Sequence, residues 1–349
     1  MRKAILSGVV TVVLLGLMAA SGPAQGPGRA GEVLRNDPFG PLVEMRRIGP
    51  KVVYHRYVPD PEGTQLFRCN AGSAIEAQLT RGEEPAAEPR WSPDAREIAY
   101  TWGRATHRIH VISAIGSGDR EISTGAVHAT QPAWSPGGGS FAFAGLSGTQ
   151  WDIWTMTTTG GALTNLTNSV LADYHPDWSP DDRSIVYDHY EGPGTGYEVY
   201  TMASDGSGQR RLTENTVYDG MPRWSRDGTK VVFCREIPVP RLTPGPPTKL
   251  RPMLEIFVMS ATGKNPTRLT ERDGDDYCPC WSEDGSQILW LHGDRSGTEE
   301  LWIMNADGSD QRRLMDTCGT SVDCWGTPHA PPATLQLGPL QRPPQRPGG

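Results

Sequence analysis

Three carboxylates and the side chains set to meet them are the first candidates for chemistry. Asp173, Asp219 and Asp276 each stand five residues before a tryptophan (Trp178, Trp224, Trp281). Trp102, His189, Arg235 and His292 each stand eleven residues after one. Carboxylates repeated at one register can receive a basic segment, an amine or a cation, or work in pairs as general acid and base. Their bland alternative is to cap loops by accepting backbone N–H groups, with the His and Arg residues solvated. Motifs that would name a reaction do not occur in the sequence. Gly145-Leu146-Ser147-Gly148-Thr149 misses the last glycine of a nucleophile elbow, and there is no H-E-x-x-H zinc motif. His107 and His110, three apart on a predicted strand, point to opposite faces and make poor joint ligands.

The elements that must position these residues follow from a repeat. Trp-Ser recurs at Trp91, Trp134, Trp178, Trp224 and Trp281, spaced by 43, 44, 46 and 57 residues, and a bare Trp325 follows 44 residues later. Twelve residues before the first five stand Leu79, Ile122, Leu166, Leu212 and Leu269, with Leu314 eleven before Trp325. Each period holds four strand-length runs bounded by turn residues, as in residues 219–225, 230–234, 255–259 and 267–270. The second run ends in an aromatic in every copy: Tyr54, Tyr100, Phe143, Tyr187, Phe233 and Trp290. Ser92-Pro93-Asp94 and Asp205-Gly206 are typical of the tight turns between runs.

One four-stranded antiparallel sheet per ~44 residues is the signature of a propeller blade, whose faces are buried only by the next blade. Five blades open at the Trp-Ser sites. Residues 51–54, 65–69 and 77–80 supply three more strands, and residues 321–325 supply a fourth. The expected fold is therefore all-β, a six-bladed β-propeller over residues 48–326, closed by a carboxy-terminal strand joining the amino-terminal blade and so free of open edges.

Pro89-Arg90-Trp91-Ser92-Pro93-Asp94 and Pro176-Asp177-Trp178-Ser179-Pro180-Asp181, with an apolar-aromatic-x-Met run and a closing Leu-Thr, resemble the WD40-like repeat of the TolB propeller family. The resemblance covers about residues 48–326. It implies the fold directly and the activity less so, because similar propellers occur in prolyl oligopeptidase-like proteins and oligogalacturonate lyases. The α/β domain that precedes the propeller in TolB has no counterpart in the roughly 25 residues between the apolar leader and the first strand. The blade opened by Trp224 carries an insertion, and Trp325 lacks the following Ser.

In an antiparallel blade the turns joining runs one to two and three to four share one face, where they are short. The longer connections share the other, and recognition is expected there. Asp173, Asp219, Asp276, Trp102, His189, Arg235 and His292, with Arg56 of the composite blade, all map to this loop-bearing rim. Three neighbouring carboxylates there would form an acidic arc near the channel mouth. The Pro-rich insertion between Cys234 and Leu254 emerges on the same face.

The sequence has 349 residues with 33 Lys+Arg against 40 Asp+Glu, a net charge of −7, which excludes a basic nucleic-acid binder. Arg2 and Lys3 before an uncharged apolar run from Ala4 to Ala20 read as a secretory signal over residues 1–25. Residues 26–47 read as a linker and the Pro-rich residues 327–349 as a disordered tail. Cleavage would leave an acidic chain, periplasmic or secreted, with no stable membrane insertion and a monomeric state. Of six cysteines, Cys318 and Cys324 are the expected disulfide, Cys69 a free buried thiol, and Cys278 and Cys280 a pair at the limit of bridging distance. No metal and no cofactor are expected. The resulting reading is a non-catalytic platform binding a protein or peptide partner of the cell envelope through the loop-bearing face. The rivals are an envelope hydrolase or lyase on peptide or polysaccharide using His189, His292 and the same aspartates, and a structural module with no dedicated ligand.

Overall fold

The computed structural model describes residues 51–59, 62–70, 76–125, 128–238, 252–294, 298–316 and 321–324. They form six four-stranded antiparallel sheets and no helix. The innermost strands are Ser321–Cys324, Ala86–Trp91, His128–Trp134, Asp173–Trp178, Asp219–Trp224 and Asp275–Trp281, and each contacts the next in a closed ring. The first blade is the composite one: Ser321–Cys324 pairs with Lys51–Pro59 in the register Val52 to Cys324 and His55 to Ser321. Blades two to six open at Trp91, Trp134, Trp178, Trp224 and Trp281.

Packing between blades supplies the core. Val232, Cys234, Ile256 and Leu269 of the fifth blade meet Trp281, Ile288, Trp290 and Met304 of the sixth, all buried. The expected aromatic column is wholly inside: Tyr54, Tyr100, Phe143, Tyr187, Phe233 and Trp290 are at most 1% exposed. These side chains have neighbours only because another sheet lies against their own.

Two local devices make each repeat fold the same way. In the Trp-Ser turns, Ser179 donates its hydroxyl to Asp181 (2.6 Å) and accepts the Ser184 N–H (2.9 Å), which pins the start of the second strand. Ser92 with Asp94, Ser225 with Asp227 and Ser282 with Asp284 repeat the arrangement. The second device explains the closing Leu-Thr. The Thr213 hydroxyl accepts the Val199 N–H (2.9 Å) and donates to the buried Glu198 carboxylate, which Arg211 also binds at 2.8 Å. Thr270, Arg268 and Glu255 reproduce it in the next blade. Thr80 uses Gln65 as acceptor in the first.

Cys69 is a free thiol, 2% exposed, and burial pushes its pKa up to about 12. Cys280 is disulfide-bonded and Cys278 is not, so these two do not bridge each other. Cys318 and the side chain of Cys324 lie outside the described residues, as do the leader, the linker, the tail and residues 239–251 of the insertion.

Replacing Thr270 by Val keeps shape but leaves the buried Glu255 oxygen without its donor. The expected loss is about 1–3 kcal/mol in urea unfolding, with an unchanged slope against denaturant.

Candidate functional site at the loop-bearing mouth

Each innermost strand runs from the loop-bearing face to the Trp-Ser turn, so its residues are stacked in order along the channel. Asp173, Asp219 and Asp276 lie at the loop-bearing end, each fully buried. Each carboxylate faces its cross-strand partner. Asp173 accepts from His189 Nδ1 (2.6 Å), Asp219 holds Arg235 through two bonds (2.7 and 2.6 Å), and Asp276 accepts from His292 Nδ1 (2.7 Å) and Trp290 Nε1 (3.0 Å). The two columns read from the sequence are therefore one set of acid–base pairs. Their carboxylates are an inner layer, and only the outer edges of the His and Arg side chains reach solvent. Arg56 and Trp102, which have no aspartate opposite, turn elsewhere. Arg56 pairs with Glu76 (2.6 Å) over the Phe67 ring, and Trp102 stacks on His110 at 4.9 Å.

Two residues further along, every Trp-bearing innermost strand is bulged. Glu88, Gln131, His175, Met221 and Cys278 take φ between 51° and 56°, and the pairing register shifts at each. The next residue is Pro89, Pro132, Pro176, Pro222 or Pro279. Proline has no N–H for the ladder, and a bulge lets the strand pass that gap. The bulged N–H is accepted by the preceding blade: Glu88 N–H by His55, Gln131 N–H by Glu88, His175 N–H by Gln131, Met221 N–H by Asp188.

One arc of this girdle carries unusual chemistry. Gln131 accepts the His175 N–H through Oε1 (2.9 Å), so its amide nitrogen is the group facing His175 Nε2 (2.9 Å). An amide nitrogen donates, so Nε2 accepts and the ring proton sits on Nδ1, which donates to Asp188 at 2.8 Å. Burial disfavours and Asp188 favours the charged ring, with a net upward push. The Gln131 contact works against that push, and this geometry holds the neutral ring.

Above Asp188 lies an aromatic cluster spanning three blades. Trp151 meets Tyr174 (5.6 Å), Tyr174 meets Tyr197 (6.2 Å), and Tyr197 meets Tyr190 (5.1 Å) and Tyr218 (5.6 Å). All five rings are half-buried. Gly220 is what lets the cluster close: the Tyr218 hydroxyl and Asp188 Oδ2 occupy the space a Cβ there would need. Sequence reasoning missed this cluster because its members share no register. It missed the bulges too, although a proline two residues before each Trp was a visible signal.

The opposite end of the channel is lined by charged side chains. Arg90 lies 3.6 Å from Asp177 and 3.8 Å from Asp323, and Arg223 lies 3.9 Å from Asp177, around a cavity of about 100 Å³. Burial, opposed by Arg90, raises the Asp177 pKa to about 6. Among the described residues, no group of three or more His, Cys, Asp or Glu is arranged to hold a metal ion, and no helix is long and apolar enough to cross a membrane.

Comparison with known proteins places this geometry. The model of the TolB beta propeller domain family matches residues 51–238. The structure of a putative TolB from Agrobacterium tumefaciens is 19% identical with a TM-score of 0.60, covering 76% of this chain and 88% of that one. TolB from Acinetobacter baumannii is 18% identical with a TM-score of 0.64, covering 78% of this chain and 65% of that one. In sequence, the uncharacterized peptidase YuxL of Bacillus subtilis is 29% identical over 107 residues, and this chain spans 16% of its length.

His189 is raised above its ordinary 6.5 by its bond to Asp173 against the opposing effect of burial, and His292 mainly by its bond to Asp276. A ring raised on folding contributes stability that is complete below pH 6.5 and lost as pH climbs through the raised value. Asp177, raised on folding to about 6, acts in the same sense over a lower window. The melting temperature should therefore fall as pH rises above about 6.5, by roughly 2–4 °C per kcal/mol lost. His292→Gln should flatten the upper part of that slope; an unchanged profile would contradict the pairing.

Proposed function

The chain belongs to the TolB beta-propeller family, whose model matches more than half its length, and from that premise we propose that it is an exported, non-catalytic platform binding a protein or peptide through its loop-bearing face. The observation that carries this reading is the contiguous cluster of Trp151, Tyr174, Tyr190, Tyr197 and Tyr218 at that mouth. Large amphipathic rings lose little conformational entropy on contact and concentrate binding energy at protein interfaces. The neighbouring Val170, 83% exposed, adds apolar surface at the edge. The rim residues His189, His292, Arg235, Trp102 and Arg56 would frame the contact, with Asp173, Asp219 and Asp276 fixing three of them from beneath. Export follows from the charged and apolar leader, and a periplasmic or secreted location from export.

Reversing the charge of Asp173 or Asp219 would be a poor test, because each is buried against a partner and its loss disturbs the blade. The ring-removal variant Tyr174→Ala/Tyr197→Ala leaves those pairs alone. Affinity capture from an envelope extract should drop roughly 30-fold or more with this variant, as expected when an aromatic anchor worth about 2 kcal/mol is removed, while thermal unfolding stays cooperative. Undiminished capture would reject the site. Peptide or polysaccharide turnover that vanishes with His189→Ala or His292→Ala would favour the hydrolase or lyase reading instead.

A further inference from the structure

We propose that Asp188, together with the rings of Tyr174, Tyr197 and Tyr218, is a receptor for one organic cation, an alkylammonium or guanidinium group presented by the bound peptide. This rests on the platform reading and specifies what the mouth recognises.

The first ground is an unbalanced charge. Asp188 is fully buried; its Oδ2 accepts from His175 Nδ1 (2.8 Å) and the Met221 N–H (3.0 Å), while Oδ1 has no hydrogen-bond partner. Asp219, Glu198 and Glu255 are matched by Arg235, Arg211 and Arg268, and Asp173 and Asp276 by His189 and His292, whose other ring nitrogens meet no amide donor such as Gln131 among the described residues. Asp188 faces only an imidazole that the Gln131 amide holds neutral. A buried carboxylate with a bare oxygen and no cation is costly unless something outside the chain supplies the positive charge.

The second ground is the wall around that charge. The Tyr174 and Tyr197 rings are inclined at 52° and those of Tyr197 and Tyr218 at 63°, so neighbouring rings meet at an angle rather than stacking flat. Burial, reinforced by Asp188, raises all three phenols above their ordinary value, Tyr174 to about 12, so they remain neutral π surfaces. A cation among aromatic faces is attracted by their quadrupoles, most strongly where water is displaced. The Tyr218 hydroxyl reaching toward Asp188 over Gly220 joins wall and floor into one site.

The test is calorimetry and saturation-transfer NMR on the full chain with n-butylammonium chloride, against 1-butanol as its neutral isostere. The ammonium should bind at least about tenfold more tightly than the alcohol. Tyr197→Phe, which keeps the ring face, should stay within about twofold of the unaltered protein, while Tyr197→Leu should weaken binding about tenfold or more. Asp188→Asn should abolish the preference for charge; if it fails to fold, the Tyr197 pair still decides. Equal binding of alcohol and ammonium, or an unaffected Tyr197→Leu, overturns the receptor. Partner capture that persists while the ammonium is ignored also overturns it and leaves the platform standing. Ammonium binding without any tyrosine-dependent capture would remove the platform and leave the receptor.

Discussion

The architecture depends on the capture of a bulged N–H by the preceding blade. Five innermost strands hold a non-glycine residue in the left-handed region next to a proline, a conformation that costs about 1 kcal/mol per residue relative to an extended backbone. What offsets that strain is a hydrogen bond that only the neighbouring blade can supply, as when Gln131 takes the His175 N–H or Asp188 takes that of Met221. A single blade could not sustain it. The strain thus makes each blade conditional on the one before it, and propagates around the ring to His55, which accepts the Glu88 N–H from the blade shared by both chain ends.

The same girdle decides where polarity can enter the molecule. On its loop-bearing side the acids are matched across strands by His189, Arg235 and His292; on the Trp-Ser side Arg90, Asp177, Arg223 and Asp323 neutralise one another across the channel. Between these balanced layers the fourth blade breaks the pattern. Asp188 stands where the other blades have His55, Thr101, Ala144, Cys234 and Leu291. It is the one carboxylate in a column that varies from blade to blade, and it gives the fourth blade its chemical character.

Much of this was legible in the sequence and some was not, for identifiable reasons. The Trp register, the aromatic column and the Trp-Ser turns repeat, and repetition is visible without coordinates; the closure followed from the one strand the first blade lacked. The pairing of Asp173 with His189 was implicit in two registers that were noticed separately. Their burial was not, because the depth of a strand end depends on how loops from the next blade fold over it. Trp151, Tyr174, Tyr190, Tyr197 and Tyr218 come from different strands at unrelated registers, and only the twist of adjacent sheets gathers them. The Leu-Thr ending was recognised as a motif, while its cause, a buried Glu198 or Glu255 waiting for a hydroxyl, appears only when strands three and four are set side by side.

The composite first blade carries a consequence for biogenesis. Ser321–Cys324 is the last of the ring's strands to be synthesised, and the inner edge of Lys51–Pro59, made first, pairs with it alone. Until that last strand is made the ring cannot close, and the inner edge of its oldest strand has no ladder partner. Ring closure is therefore the step that joins the two ends of synthesis, and it waits for the final strand.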